Sequence, residues 1–317
     1  MQDRIFTEYL NDHHGFFYTI RESLHRGRTK YQEIELVRTD EYGTVLLLDN
    51  ITQVAERGDW QYHEPLVHYP MLAHPNPRRV LVIGGGDGGT VREVLRHSVE
   101  QIDFVELDEE VVAFSRKHLA AVHQGAFEDS RVRLHFQDGR AWVSSHPRSY
   151  DVIIMDMTDP FGPSRMLYTR EFYRLVRDAL RSEEGLFAMH AESPVARPVA
   201  HRCIEQTLAA EFAVTQTVYT FIQMYATYWS FAIASPGTSI AEVSGELAER
   251  RCAERGISGL QMINAATWES MQVAFPYIDG LPTDVPVITD DRPVFPDHFS
   301  ASGGTVGPHT SNSTTSP

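Results

Sequence analysis

A doubly wound, mostly parallel α/β sheet with a small antiparallel β unit ahead of it is the fold class that this 317-residue chain predicts. Three features carry the prediction. From residue 79 onward, short apolar runs alternate with stretches of helical spacing. A glycine-rich turn closes the first of those runs. The first 60 residues read instead as short strands separated by turns. The length is ample for a buried core. We therefore expect a β-strand unit over 1–60, a large α/β domain over 61–299 and a tail over 300–317.

Taken in order, Ile34, Leu36 and Val37 precede a turn at Asp40–Gly43, and Val45–Leu48 follows, ended by Asp49-Asn50. That is a hairpin signal, and Thr52-Gln53-Val54 adds one more strand. Arg79–Ile83 is a strand stopped by glycines, with helical spacing after it over Thr90–His97. Ile102–Leu107 and helical Glu109–Ala121 repeat the unit. Val132–Phe136, Val152–Met155, Leu186–Met189 and Val214–Tyr219 continue the strands, with helices over Arg170–Leu180 and Val195–Glu211. Residues 227–235 read as a late antiparallel strand and Ala241–Arg255 as a charged helix. The Ser/Thr/Gly-rich tail has no apolar periodicity and is expected to be disordered.

The chain holds 28 Lys+Arg against 43 Asp+Glu, a net charge of −15. Such a surface repels phosphate backbones and disfavours nucleic-acid binding. Either the charge only keeps the protein soluble, or it suits a cationic substrate. Cys203 and Cys252 are too few for a disulfide framework or a thiolate metal site, which fits a reducing compartment. No apolar run approaches the ~20 residues of a membrane span. The opening MQDRIFTEYLNDHHG lacks the apolar stretch of a signal peptide, so a cytoplasmic protein is expected. His13-His14 reads as a solvated turn, and no metal is suggested.

The strongest local signal is VLVIGGGDGGTVREV, from Val80 to Val94. Gly84, Gly86 and Gly89 meet the G-x-G-x-x-G spacing directly after a strand and opening a helix, a Rossmann-like turn. Asp87 inside the loop would repel a pyrophosphate, so a cationic nucleoside suits the loop better than a dinucleotide. Glu106, about 20 residues on, is placed to accept hydrogen bonds from ribose hydroxyls. Asp138 has two readings of equal weight: a partner for an adenine amine, or an Asx turn capping the next helix. The set reads as an adenosyl-sulfonium pocket of methyltransferase type.

YDVIIMDMTDPFGP, from Tyr150 to Pro163, brings Asp156 and Asp159 to the carboxyl end of the sheet, where ligands bind in such folds. Pro160 and Pro163 stiffen the loop. An amine must shed a proton before it can attack, so one carboxylate has a role as base and the other as anchor for a distant positive group.

With these residues in place, the sequence resembles the polyamine aminopropyltransferases, the family of spermidine synthases, from Tyr31 to Ser235. The pieces that carry it are YQEI at 31–34, LDNITQ at 48–53, YHE at 62–64, HPNPRRV at 74–80, IGGGDGG at 83–89 and VELD at 105–108. DG at 138–139, D-x-T-D-P-x-G-P at 156–163 and LYTREFY at 167–173 complete the ordered set. The resemblance implies transfer of the aminopropyl group of decarboxylated S-adenosylmethionine to an amine, putrescine first, giving spermidine and 5′-methylthioadenosine. It implies no cofactor beyond that co-substrate, no metal, and a homodimer or homotetramer.

By the same resemblance, Gln32, Gln53, Gly84, Gly86, Glu106, Asp138, Gly139 and Pro163 bind the donor. His63, Asp87, Asp159 and Tyr62 face the amines, and Asp156 takes the proton. The carboxylate of intact S-adenosylmethionine would meet Asp87 and Asp156, a clash of roughly 4 kcal/mol at 4 Å and an effective dielectric near 20.

Three departures bear on the acceptor. Met157 stands where many spermidine synthases have Ser or Thr, and His190 replaces a glutamine. FIQMYATYWSF at 221–231 replaces an I-P-T-Y type segment, leaving Tyr225 and Tyr228 as candidates for the missing tyrosine. The alternatives are the same chemistry on spermidine, agmatine or cadaverine, as in thermospermine-synthase-like members, or an S-adenosylmethionine-dependent methyltransferase.

Overall fold

A computed structural model describes residues 4–160, 162–296 and 305–308, without the side chains of 162–163 and 305–308. The first unit is an antiparallel meander of β1 (Arg4–Asn11), β2 (His14–Arg28), β3 (Glu33–Thr39), β4 (Gly43–Leu48) and β5 (Ile51–Ala55). The expected hairpin is β3–β4, pairing Ile34 with Leu48 and Thr39 with Gly43. The tight β4–β5 turn needs left-handed backbone at both central positions. Asp49 (φ 49°) and Asn50 (φ 59°), residue types that tolerate it, stand there. His13 and His14 lie at the β1–β2 reversal, where their backbone N–H groups donate to Asn11 Oδ1.

The second sheet has seven strands: β6 (Arg79–Gly84), β7 (Gln101–Glu106), β8 (Val132–Phe136), β9 (Val152–Asp156), β10 (Leu186–His190), β11 (Val214–Ile222) and β12 (Thr227–Ser235). Their order is β11-β12-β10-β9-β6-β7-β8, parallel from β10 to β8, with β12 and β11 antiparallel. The central strands are apolar on both faces because both are covered. Val80, Val82, Val152 and Ile154 point into one core layer; Leu81, Ile83, Ile153 and Met155 point into the other.

The first layer is closed by α1 (Trp60–Ala73) and α2 (Gly89–Leu95), then α8 (Gly245–Glu254) and α9 (Ala265–Ser270). On the opposite face lie α5 (Gly139–Ser145), α6 (Arg170–Ala179) and α7 (Pro198–Ala209). The helix expected over Glu109–Ala121 divides at Leu119 (ψ 38°) into α3 (Glu109–His118) and α4 (Ala120–His123). Val111, Leu119 and Val122 on this pair receive one face of the N-terminal sheet through Ile34, Leu36, Leu46, Leu48 and Val54. That packing seats the small sheet over the carboxyl end of the large one.

Helix α1 was not apparent from sequence. Pro65 and Pro70 lie inside it and read as breakers, and it is buried all round from His63 to Ala73, so it has no polar stripe. Pro198 and Ser244 start α7 and α8 a turn later than the apolar spacing suggested. Beyond α10 (Pro276–Asp279), β13 (Thr305–Pro308) pairs with β1 inside the tail expected to be disordered. Residues 300–304 and 309–317 lie outside the described residues. Among the described residues no helix is long and apolar enough to cross a membrane.

Candidate active site

The sheet order reverses between β6 and β9, and a cavity of about 290 Å³ opens there, outside the carboxyl ends of the strands. Register places Gly84 beside Asp156. The cavity follows the strand order: Glu106 ends β7, Gly84 ends β6, Asp156 ends β9 and His190 ends β10. Residues of β1, β4 and β5 roof it. Glu8, Asp49, Asp59, Asp87, Glu106, Asp108, Asp156 and Asp159 line it, against Arg197 as the sole Lys or Arg among the described lining residues.

The glycine loop works by close approach. Gly84 (φ 79°) and Gly85 (φ 73°) occupy left-handed backbone, and a Cβ on Gly84 would fall 2.2 Å from the Asp156 carbonyl oxygen. A Cβ on Gly86 would lie 2.9 Å from Val111 Cγ1 and 3.4 Å from Glu106 Oε2. Glu106 accepts the Asp108 N–H at 3.0 Å. Burial, with the Asp108 and Asp156 charges adding, pushes its carboxyl up to about 7. Asp108 caps α3 and also accepts from Thr29 Oγ1 at 2.6 Å and Gln32 Nε2 at 3.1 Å, which fixes Gln32 above this end.

His63, on α1, reaches the middle of the cavity. Its Nδ1 lies 3.1 Å from Asp59 Oδ2, its Nε2 3.6 Å from Asp87 Oδ1, and Arg92 Nη1 lies 2.8 Å from Asp59 Oδ2. Burial acts to lower the imidazole pKa, but the Asp59 hydrogen bond and the Asp87 and Asp59 charges outweigh it and raise it. Asp87 is itself raised by burial and by Asp156, with His63 opposing, and accepts the Gly89 N–H at 2.7 Å. The two carboxylates thus favour the protonated imidazole against its burial.

Asp156 Oδ2 accepts from Thr90 Oγ1 at 2.6 Å, and the Tyr62 hydroxyl is hydrogen-bonded to the same carboxylate. Burial and then the Asp156 charge push the Tyr62 phenol well above its ordinary value, so it remains a neutral donor. Asp159 lines the cavity, but its Oδ2 lies 2.6 Å from Arg197 Nη1, which also meets Glu192 Oε2 at 3.1 Å. Glu8 enters from β1, accepting the Thr52 N–H at 2.8 Å. It is 6 % exposed, and burial pushes its carboxyl up to about 7. His190, lowered by burial, sits 2.6 Å from the Tyr168 hydroxyl.

The cavity thus gathers Gln32, Gln53, Tyr62, His63, Gly84, Gly86, Asp87, Glu106, Asp156 and Asp159. Asp138 and Gly139 are not among its lining residues. Asp138 Oδ1 accepts the Ala141 N–H at 2.8 Å as the cap of α5. The Pro163 side chain lies outside the described residues. Of the two tyrosine candidates, Tyr225 lines the cavity and donates to the Gln53 carbonyl at 2.8 Å, whereas Tyr228 packs between Phe221 and Phe275. Sequence reasoning missed Glu8, Asp59 and Arg197. Asp59, four residues before His63, carried a helical-spacing signal; Glu8 and Arg197 carried none.

The chain matches known proteins over most of its length. Residues 59–243 match the spermine/spermidine synthase domain, and residues 5–56 match the spermidine synthase tetramerisation domain. A polyamine aminopropyltransferase of Nitrosomonas europaea is 34 % identical over 293 residues, 92 % of this chain and 90 % of that one. The protein of the same description from Thermococcus onnurineus is 47 % identical over 193 residues, 61 % of this chain and 68 % of that one. A crystal structure of spermidine synthase in complex with the transition-state analogue AdoDATO superposes with a TM-score of 0.81 at 31 % identity, covering 87 % of this chain and 94 % of that one. Spermidine synthase from Thermotoga maritima gives 0.80 at 31 % identity, covering 87 % and 93 %.

Proposed function

Because the chain belongs to the spermine/spermidine synthase family and is a polyamine aminopropyltransferase, we propose that it moves the aminopropyl group of decarboxylated S-adenosylmethionine onto putrescine, releasing spermidine, 5′-methylthioadenosine and a proton. The observation that carries this reading is the line of carboxylates from Glu106 to Glu8 along one cavity, countered by one guanidinium. Such walls suit a nucleoside sulfonium with an ammonium tail and a diammonium acceptor, and they repel phosphate.

Glu106 takes the ribose hydroxyls, with Gln32, Gln53, Gly84 and Gly86 around the nucleoside. Asp138, Gly139 and Pro163 are assigned to the adenine side on resemblance. Asp87 and His63 face the aminopropyl ammonium. The acceptor amine attacks the chain carbon bonded to sulfur; the N–C bond forms as the C–S bond breaks, and the electron pair stays on sulfur as a thioether. The proton leaving nitrogen passes to Asp156, which Thr90 and Tyr62 hold in place. Glu8 anchors the distant ammonium, and Asp159, paired with Arg197, borders the same amine site.

The family match over 5–56 supports a homo-oligomer built through the N-terminal sheet, with the boundary to the catalytic domain near residue 60. The free thiols Cys203 and Cys252 fit a cytoplasmic setting. The test is a methylthioadenosine-release assay with decarboxylated S-adenosylmethionine and, separately, putrescine, cadaverine, agmatine and spermidine. Putrescine is expected to give the highest kcat/KM. A higher value for another amine would overturn the acceptor assignment, and release with none would overturn the reading as a whole.

A further inference from the structure

The acceptor end of the cavity holds a built ion cluster that the reaction itself does not require. Asp159, His190 and Glu192 each bring a ligand atom to within 4.8 Å of the others. Three such groups would ordinarily demand a cation. Arg197, the residue just before α7, supplies one: its Nη1 lies 2.6 Å from Asp159 Oδ2 and 3.1 Å from Glu192 Oε2, and its Nε donates to the Leu10 carbonyl at 2.7 Å. Glu192 is fully buried, and the Arg197 side chain is 13 % exposed yet lines the cavity. His190, pressed down by burial, adds no charge.

Strand order fixes where this cluster lies relative to the donor. Glu106 at β7 and Glu192 just past β10 are separated by three strand intervals, about 14 Å at ~4.8 Å each. Arg197 therefore closes the end of the cavity opposite the ribose carboxylate. Of the carboxylates at that end, it occupies Asp159 and Glu192 and leaves Glu8 as the one without an ion-pair partner among the described salt bridges.

Resting on the reading above, we propose that Arg197 determines acceptor length: its guanidinium stands in the place where the extra ammonium of a triamine would go, so the site takes an acceptor with a single distal ammonium. A diamine satisfies Glu8 and ends there. A triamine would have to displace a guanidinium held by two carboxylates and a backbone carbonyl, or bring its extra charge against it. With the guanidinium removed, Asp159 and Glu192 are left with a vacated, desolvated space that an alkylammonium of the longer acceptor matches in charge.

The experiment compares kcat/KM for spermidine and for putrescine in the wild type, Arg197→Ala and Arg197→Lys, at saturating decarboxylated S-adenosylmethionine. The ratio of the two values within one preparation does not depend on how much of that preparation is folded, so a destabilised variant still gives an answer. The spermidine-to-putrescine ratio is expected to rise at least about tenfold in Arg197→Ala, the size of one buried charge-assisted contact. It should return toward the wild-type ratio in Arg197→Lys, which restores the cation. An unchanged or lower ratio in Arg197→Ala would overturn the proposal. A wild type that prefers spermidine refutes the putrescine assignment by itself, and the change in ratio between wild type and variant still decides the role of Arg197.

Discussion

Gly89→Ala tests the close approach on which the centre of the site depends. Gly89 opens α2, and helix propensity alone favours alanine there, by up to about 1 kcal/mol. Its surroundings predict the opposite sign. A Cβ would lie 2.2 Å from His63 Cε1 and 2.6 Å from both ring nitrogens. Carbon contacts settle near ~3.5–4.0 Å, so the imidazole must retreat by about 1 Å or more. It is flanked by Tyr62, with ring centroids 5.5 Å apart, and retreat stretches the 3.1 Å bond to Asp59 past hydrogen-bonding distance. Overpacking costs roughly 1–3 kcal/mol and a bond to a charged partner roughly 1.5–3. One displacement relieves the first at the expense of the second, so about 3 kcal/mol is the net expectation. That corresponds to a Tm lower by about 6 °C, taking ~2 °C per kcal/mol for a chain of this size. An aminopropyl chain misplaced by ~1 Å through its ammonium contact lowers turnover about 10²-fold. Thermal denaturation and methylthioadenosine release read both effects. A variant at least as stable as wild type with wild-type kcat/KM would refute the reasoning, since propensity would then be the only effect operating.

Three further outcomes are expected. Asp156→Asn should lower kcat by about 10²-fold or more while methylthioadenosine still binds, because the base is lost and the nucleoside contacts are not; unchanged turnover would remove Asp156 from proton transfer. Glu106→Gln should raise the Kd of methylthioadenosine, measured by calorimetry, with kcat at saturating donor little changed; a fall in kcat with Kd unaltered would contradict its ribose role. Glu8→Gln should raise the KM for putrescine at least about tenfold, as expected for a lost charged contact. It should also change pH dependence without ligand: burial holds the Glu8 carboxyl near 7 against an ordinary 4.5, so between those values the folded chain keeps a proton the unfolded chain has lost. Wild-type stability from this group is present below pH 4.5 and falls as pH rises toward 7, so Glu8→Gln should gain about 3 kcal/mol on wild type over that window in urea unfolding. A constant difference would place Glu8 in solvent.

The reach of the sequence differs from element to element. The parallel strands were readable because β6, β9 and β10 are covered on both faces and so carry unbroken apolar runs. The β3–β4 hairpin was readable because its turn residues and alternating pattern coincide. Helix α1 was hidden by its prolines and its all-round burial, although it carries His63. Asp87, Glu106 and Asp156 could be placed because each ends a strand or sits in its first turn, where chain order alone dictates the side of the sheet.

Local chemistry along the chain was thus sufficient for the fold class, the family and the carboxylates at the strand ends, since those depend on short-range spacing. Glu8, Arg197 and Tyr225 reach the cavity from a distant strand, a helix start and a strand reversal. Their partners lie 44, 38 and 172 residues away in the chain. The first contact forms within the small sheet, the second within the large unit, and the third only where the small sheet packs over the large one; none has a periodicity along the chain to announce it. Folding of the large unit decided that Asp159 meets a guanidinium: an ion pair is a property of two positions in space, and the sequence around either residue alone does not contain it.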